Sequence, residues 1–292
     1  MALSRDRRIT MQGYLLLTPS MLTLFLVVVF PLAYLFYLSL MNFTFGRVTG
    51  FAGLKNYFHV LTDSIFYESL KVTIIFTAWS VVGQLLLALL FAMVIHYSGA
   101  FEAGIRLLVI LPYMISEVAG GVTLRWILNT EFGFVNWILM SLKLIAHPLN
   151  FLGEPAYAMA SIIGANLWIS VPFATLVLLA GLKSISTEIY ESAQIDGAGF
   201  YRSFFSITLP LLRAQIFVVL LIQTMFSFRH FPLPYAMTGG GPGATTKLLA
   251  LVLQEKMMYL VFGYNAALSV IMMILTLAIA GLYLKFMTMG KE

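Results

Sequence analysis

The amino-acid sequence predicts an all-α, polytopic membrane protein with six transmembrane helices. Of the 292 residues, 61% are hydrophobic and 10% are charged, whereas a soluble domain carries about 25% charged residues. Four uncharged runs each exceed the ~20 residues that a spanning helix needs. They lie at residues 9–46, 72–101, 155–182 and 257–284. The whole chain, residues 1–292, is therefore expected to form a single transmembrane domain.

Two further apolar runs are interrupted by charge and still count as spans. Glu117 lies inside the first, and Arg229 interrupts the second before the chain continues apolar and proline-rich to Met237. The six predicted spans cover residues 13–40, 68–96, 105–128, 156–182, 211–237 and 260–286. Pro31 lies deep inside the first span, where a proline either kinks the helix or is tolerated through its neighbours.

The charges predict the orientation of the chain. Arg5, Arg7 and Arg8 directly precede the first span, and the positive-inside rule places such a cluster in the cytoplasm. The apolar run that follows is far longer than the ~7–15 residues of a signal-peptide core, so we expect it to remain as the first helix. With six spans, both termini are cytoplasmic, and so is the segment 183–210 between the fourth and fifth spans.

That cytoplasmic segment is predicted to contain a short helix. Ser186 and Thr187 lie where N-cap residues belong, acidic residues follow in the first turns, and Asp196–Gly197 is a stop signal. Pro210 is predicted to close a second amphipathic piece. On the opposite side of the membrane, short helices are expected around residues 51–61, 132–137 and 247–259.

Glu117 is predicted to share one helix with Pro112 and the pair Gly120–Gly121. A carboxyl group at membrane depth is costly and usually faces a bundle interior or a water-filled cavity. Glu117 is therefore either a pathway group or proton carrier, or the partner of Arg125 or of a cation on another subunit. Both interpretations remain open, whereas Gly120–Gly121 indicates close helix packing.

Several classes of chemistry lack their usual patterns in this sequence. The chain has no cysteine, and its four histidines are scattered without ligand spacing, so no metal site is predicted. In GGGPGATTK, Lys247 is followed by Leu248, which does not match a phosphate-binding loop. Paired carboxylates and nucleophile–base spacings are also missing. The chain is thus expected not to be an enzyme and to bind no cofactor itself.

Polar residues recur inside two of the predicted spans. Asn166, Trp168 and Ser170 precede Pro172 in the fourth span, where a missing helix bond can open backbone to a cavity. An aromatic ring beside an amide suits a sugar, although a membrane-interface tryptophan fits the same pattern. In the fifth span a polar-aromatic stripe shares one helix face, which is costly unless it lines water or a ligand. Its members are Gln223, Phe226, Ser227 and His230.

The segment ESAQIDGAGFYRSFFSITLP resembles the cytoplasmic loop of ATP-binding-cassette importer permeases, whose pattern runs E-A-A, three residues, G, then I-x-L-P. The residues that fall on this pattern are Glu191, Ala193, Asp196, Gly197, Ala198, Ile207, Leu209 and Pro210. Ser192 replaces the usual alanine, a small change of size. GLKNY, LPYMIS, NLWISVPF, LLAGLKSI and MTGGGPG are similar to the maltose-type carbohydrate-uptake branch, in particular its first permease subunit.

This resemblance implies a set of partners in a bacterial cytoplasmic membrane. Such a permease pairs with a second permease subunit, docks two ATPase subunits that bind ATP and magnesium, and receives its substrate from an extracytoplasmic solute-binding protein. The helix of the cytoplasmic loop would insert into an ATPase groove and act as the coupling helix for alternating access. The coupling residues would be Glu191, Ala193, Asp196, Gly197, Ala198, Ile207 and Pro210.

The resemblance also implies a sugar site between the fourth and fifth helices. It would comprise Asn166, Trp168, Ser170, Phe173, Phe226, Ser227 and His230, and the helical stripe adds Gln223. Further candidate pathway residues are Glu117, Arg229 and the span-buried amide of Gln84. Because Arg229 and His230 are unusual there, an anionic substrate such as a sulfonated or phosphorylated glycoside or glycerol phosphate is one hypothesis. The alternative function is a proton-coupled secondary carrier that uses Glu117.

Overall fold

The computed structural model describes residues 5–44 and 46–289. Four helical stretches are long and apolar enough to cross a membrane, namely Tyr14–Ser39, Ser64–Tyr97, Pro155–Lys183 and Phe262–Lys285. Two bent pairs, Gly99–Met114 with Glu117–Ile127 and Phe200–Leu211 with Arg213–Phe228, raise the number of spans to six if each pair crosses once. The helical, polytopic class is confirmed, with four to six spans.

The chain divides into two compact units, Met1–Asp63 with Leu253–Met273, and Ser64–Val252 with Ile274–Glu292. In chain order, the first elements are α1 (Arg5–Leu24), α2 (Phe30–Ser39), β1 (Met41–Thr44), β2 (Arg47–Phe51) and α3 (Lys55–Thr62). The next are α4 (Ser64–Tyr97), α5 (Glu102–Ile110), α6 (Glu117–Ile127), α7 (Phe134–Ser141) and α8 (Pro155–Lys183). The remainder contains α9 (Thr187–Ile195), α10 (Phe200–Ser203), α11 (Leu209–Leu211), α12 (Arg213–Phe228), α13 (Pro232–Met237), α14 (Leu249–Met258) and α15 (Phe262–Met289).

In the first unit, the antiparallel hairpin of β1 and β2 was not expected from the sequence. Asn56 of α3 stabilises the chain entering it, because its Nδ2 donates to the backbone oxygens of Ser39 at 2.8 Å and Met41 at 2.9 Å. The Tyr57 hydroxyl lies 2.7 Å from Ser39 Oγ.

The short helix predicted around residues 51–61 is confirmed as α3. Helices α7 and α14 likewise match the two other short-helix predictions.

The second unit is organised around α4, which packs against both α8 and α12. Ala88, Leu178 and Val219 belong to one buried apolar cluster of this unit. Phe76, Ile162 and Leu233 belong to another. Small residues permit the approach of α4 to α8, since a Cβ on Gly83 would lie 2.9 Å from a Leu167 methyl group.

The predicted third span is not one helix. The chain bends by 96° between the stretches Gly99–Met114 and Glu117–Ile127. Ile115 and Ser116 are extended, with ψ of 134° and 132°, and Ser116 occupies the N-cap position of α6. Glu117 therefore opens α6 instead of lying within a continuous helix, a position that suits negative charge. The sequence analysis overlooked Ser116 as a helix-start signal.

The predicted close packing at Gly120–Gly121 is confirmed. A Cβ on Gly120 would lie 3.1 Å from Ile169 Cδ1, and one on Gly121 would lie 2.8 Å from the Ala236 Cβ. The two glycines thus let α6 approach α8 and α13 closely.

The predicted fifth span, residues 211–237, is also interrupted. Helix α12 ends at Phe228, and α13 begins only at Pro232. Pro232 disfavours helical geometry in the residue before it, and Phe231 has φ of −129°. Arg229 and His230 therefore follow the end of α12 instead of lying inside a helix.

Pro210 does not close the preceding helical piece as expected. It lies in α11, and the helical stretch Phe200–Leu211 bends by 66° only where it meets α12. A π-helical turn, Phe204–Thr208, ends two residues before Pro210, just as another, Phe25–Val29, ends two residues before Pro31. Proline lacks the N–H that would continue the regular bonding, and a wider π turn accommodates it.

Candidate functional site

A cavity of about 740 Å³ lies within the second unit. Its walls come from α6, α8, α12 and the irregular residues that follow α12. The lining residues predicted from the sequence are Glu117, Asn166, Ser170, Phe173, Gln223, Phe226, Ser227, Arg229 and His230. The structure therefore brings together side chains that lie up to 113 positions apart in the sequence, from Glu117 to His230.

The α8 wall presents Asn166, Ser170 and Phe173 at i, i+4 and i+7. This spacing places the three side chains on one helix face. Ser170 Oγ donates to Asn166 Oδ1 at 3.1 Å, so the hydroxyl and the amide orient each other. Asn166 Nδ2 is buried and has no hydrogen-bond partner among the described residues.

The α12 wall presents Gln223, Phe226 and Ser227. Gln223 Nε2 donates to the backbone oxygen of Ser170 at 3.0 Å, which joins the α12 wall to the α8 wall. His230 completes the predicted stripe even though α12 ends before it. Its ring stacks on Phe76 of α4, with centroids 5.7 Å apart.

Aromatic rings and charged groups complete the cavity. Phe173 stacks on Tyr113, with centroids 6.3 Å apart. The Arg229 guanidinium lies 5.2 Å from the centroid of the Phe226 ring, within cation–π distance. Glu117 is half-buried in the lining, and within residues 5–44 and 46–289 it forms no ion pair with Arg125 or another cation. Planar apolar faces, amides and one cation thus converge on the same space.

Two predicted residues lie outside this lining. Trp168 lines two other, mainly apolar cavities with residues such as Gly164. It is two positions from both Asn166 and Ser170, and two helix positions are about 200° apart, so it points away from the face that those residues share. Gln84 is buried in α4 and does not line the cavity either.

The sequence analysis missed some lining residues, among them Tyr113, Met225 and Phe231. Tyr113 follows Pro112 directly and lies in the 3₁₀ turn before the bend. The signal that could have identified Tyr113 as a lining residue is its position in the sequence, four residues before Glu117. Apolar lining residues such as Met225 carry no such signal, because a membrane helix is apolar on every face.

The short helix predicted from cap signals between the fourth and fifth spans is present as α9. Ser186 Oγ accepts from the Glu188 N–H at 3.3 Å at its start. At its end, the Gly197 N–H donates to Gln194 O at 3.0 Å and the Ala198 N–H to Ala193 O at 2.8 Å. This is a Schellman motif, and Gly197 has the required positive φ of 77°.

The proposed coupling residues fall on both sides of this motif. Glu191 and Ala193 lie in α9, Asp196, Gly197 and Ala198 form its end, and Ile207 and Pro210 lie in the following helical stretch. The Tyr190 hydroxyl lies 2.9 Å from Thr208 Oγ1 and so joins α9 to that stretch. Ile195 is 87% exposed at the last turn of α9, and such an exposed apolar residue is a candidate protein contact.

Comparison with known proteins places these features in context. Residues 84–287 match the family model described as binding-protein-dependent transport system inner membrane component. The sulfoquinovosyl glycerol transport system permease protein SmoG of Agrobacterium fabrum is 35% identical, with 93% of this chain and 88% of that protein covered. The trehalose/maltose transport system permease protein MalF of Thermococcus litoralis is 35% identical, with 94% and 92% covered.

A solved structure has the same fold. The bacterial alginate ABC transporter, crystallised in complex with an alginate pentasaccharide-bound periplasmic protein, contains a chain with a TM-score of 0.82 at 22% identity. The match covers 96% of this chain and 95% of that chain. These matches give no support to the alternative of a proton-coupled secondary carrier that uses Glu117.

Proposed function

The chain belongs to the family of binding-protein-dependent transport system inner membrane components, and from this we propose that it is the permease subunit of an ATP-driven importer of carbohydrates or sugar derivatives. The observation that carries the proposal is the cavity between α8 and α12, in which amides, hydroxyls and aromatic rings converge. Transport by alternating access would use this cavity as the central substrate site.

A carbohydrate fits the chemistry of these walls. Sugar hydroxyls need donors and acceptors, which Asn166, Ser170 and Ser227 provide, and sugar C–H faces pack on rings such as Phe173 and Phe226. Gln223 joins the α8 and α12 walls through its hydrogen bond to the Ser170 backbone oxygen. Trp168 is excluded from the proposed contacts because it lies outside the cavity lining. The names of the two relatives, which refer to sulfoquinovosyl glycerol and to trehalose and maltose, support this substrate class.

Within that class we favour an anionic derivative. Arg229 places a guanidinium at the cavity, and cations inside a membrane protein commonly mark a substrate path. Sulfoquinovosyl glycerol, after which the relative from Agrobacterium fabrum is named, is a sulfonated sugar derivative. The trehalose/maltose relative has the same 35% identity to this chain. A transport measurement must therefore decide between a neutral and an anionic substrate. If Arg229→Gln and His230→Asn leave discrimination between neutral and anionic substrates unchanged, the anionic proposal is wrong.

The proposed assembly contains a second permease subunit, two ATPase subunits that bind ATP and magnesium, and an extracytoplasmic solute-binding protein. The chain would cross the membrane six times, with each bent pair as one span. Both termini would lie in the cytoplasm, as the Arg5, Arg7 and Arg8 cluster predicts by the positive-inside rule. Helix α9 would then face the ATPase, and its exposed end at Ile195 and Gly197 is the proposed contact.

Co-purification tests this assignment. We expect the chain to purify with an ATPase subunit, and Gly197→Pro to abolish the association because proline cannot adopt φ of 77°. Gly199→Pro is the matched control, since Gly199 already has φ of −74°. Normal assembly and normal stimulation of ATP hydrolysis by the Gly197→Pro variant would refute the coupling role of α9.

A further inference from the structure

A polar stripe runs along the buried face of α4. Its members Thr77, Ser80 and Gln84 are 7%, 0% and 1% exposed. Spacings of three and four residues place them on one helix face. Among the described residues, the Thr77 and Ser80 hydroxyls and both side-chain amide atoms of Gln84 have no hydrogen-bond partner.

One turn earlier, α4 shows how a polar residue of this face is normally satisfied. Thr73 Oγ1 donates to Ser69 O at 2.7 Å and accepts from the Leu249 N–H at 3.0 Å. A buried polar group without such partners is destabilising. Three unsatisfied side chains on one helix face are therefore a substantial penalty in this conformation, and apolar residues of similar size would avoid it.

The stripe belongs to the helix that packs against both α8 and α12, whose residues line the cavity. Phe76 stacks on His230, and Ala88 and Val219 belong to the same buried cluster. Gly83, next to Gln84, lies against Leu167, next to Asn166 of the α8 wall, since a Cβ on Gly83 would lie 2.9 Å from a Leu167 methyl group.

Two residues that line the cavity have the same shortage of partners. Asn166 Nδ2 and His230 Nε2 are also buried and unsatisfied among the described residues. Both residues line the cavity. Unsatisfied donors and acceptors thus occur on α4, on α8 and after α12, around one region near the middle of α4.

We propose that Thr77, Ser80 and Gln84 form a second polar wall of the substrate pathway, closed in this conformation and opened to water and substrate in the opposite access state. The inference rests on the proposed function, because it requires a transporter with two access states. Neutral hydroxyl and amide groups both donate and accept hydrogen bonds, so the wall suits the hydroxyl groups of a carbohydrate. Sliding of α12 and α8 against α4 would bring it into contact with the pathway.

The absence of cysteine from the sequence permits a direct accessibility test. Ser80→Cys changes one atom, and the labelled chain can be resolved from its partners on a gel. The variant is assembled with its ATPase and second permease subunits in lipid vesicles. Its labelling rate with a membrane-impermeant methanethiosulfonate is then compared between the nucleotide-free and the vanadate-trapped complex.

We expect labelling to differ about tenfold or more between the two states, since a minor open state is populated at ~0.1–10%. Transported substrate should slow the faster reaction. Thr77→Cys serves as the second position if Ser80→Cys assembles poorly. Ala88→Cys, at a fully buried position in the apolar cluster, should stay unlabelled in both states.

The outcomes separate the two proposals. A complex that neither hydrolyses nor traps nucleotide contradicts the proposed function, and this inference falls with it. A complex that traps vanadate normally, with Ser80→Cys and Thr77→Cys as inert as Ala88→Cys in both states, contradicts the second polar wall alone.

Discussion

Gln223 of α12 donates a hydrogen bond from Nε2 to the backbone oxygen of Ser170 in α8, at 3.0 Å. This bond fixes the distance between the two polar walls of the cavity. Replacement of Gln223 by leucine removes about 1 kcal/mol of stabilisation, so we expect the half-saturating substrate concentration for uptake to rise roughly 3- to 10-fold. Val218→Leu, on the exposed side of α12, should leave it unchanged. Equal uptake curves for both variants would show that the bond does not shape the site.

Substitutions of Gly197 test the role of the C-terminal end of α9 through backbone strain alone. A Cβ at this position would meet nothing within 4 Å, but φ is 77°. Alanine in this left-handed conformation costs roughly 1–2 kcal/mol, so Gly197→Ala should reduce ATPase stimulation by the permease several-fold. Gly197→Asn should retain most of it, because asparagine tolerates this conformation better. Identical losses in both variants would assign the effect to side-chain bulk at the interface instead.

Tyr190 and Thr208 join α9 to the helical stretch that leads into α12. Thr208 is 2% exposed, so the hydroxyl pair is shielded from water. Tyr190→Phe removes a bond of about 0.5–1.5 kcal/mol. We expect ATP hydrolysis to continue while the amount of substrate moved per ATP falls. Tyr201→Phe is the matched control, because Tyr201 is 78% exposed. An unchanged transport-to-ATP ratio in Tyr190→Phe would mean that the pair is not part of the coupling path.

Substitution of Gly121 tests the close packing of α6 against α13. Gly121→Ala would place a methyl group 2.8 Å from the Ala236 Cβ, and overpacking of this kind costs about 1–3 kcal/mol. The thermal midpoint of the purified complex should fall, and the added change Ala236→Gly should restore part of it. Gly104→Ala, where nothing lies within 4 Å, should not lower the midpoint. A midpoint unaffected by Gly121→Ala would refute close packing at this position.

Local signals in the sequence were enough to predict α9, whereas most of the cavity was predicted from the family resemblance together with the helical stripe. Ser186 and Gly197 act within a few residues of the helix ends, so their effect is visible without tertiary structure. The pattern Asn166, Ser170 and Phe173 follows helix periodicity, which fixes a shared face. Trp168 was grouped with them through the family resemblance, and the same periodicity explains why it points elsewhere.

The breaks in the spans were harder to predict because an apolar sequence gives few boundaries. At Ile115–Ser116 the bend depends on two extended residues between apolar stretches, and Ser116 is the one marker. The hairpin of β1 and β2 is stabilised by Asn56, which lies beyond its second strand. Its strands are only four and five residues long, too short for the alternation of apolar and polar residues to stand out as a signal. Such tertiary support cannot be read from the strand sequence itself.

The central claim is that this chain is the permease of an ATP-driven importer of carbohydrates. Its most direct test is uptake into vesicles that contain the chain, its second permease subunit and its ATPase subunits, with substrate supplied on the solute-binding protein. The account predicts substrate accumulation that requires ATP and the binding protein and that continues when the proton gradient is dissipated. Accumulation driven by a proton gradient without ATP, and abolished by Glu117→Gln, would contradict it.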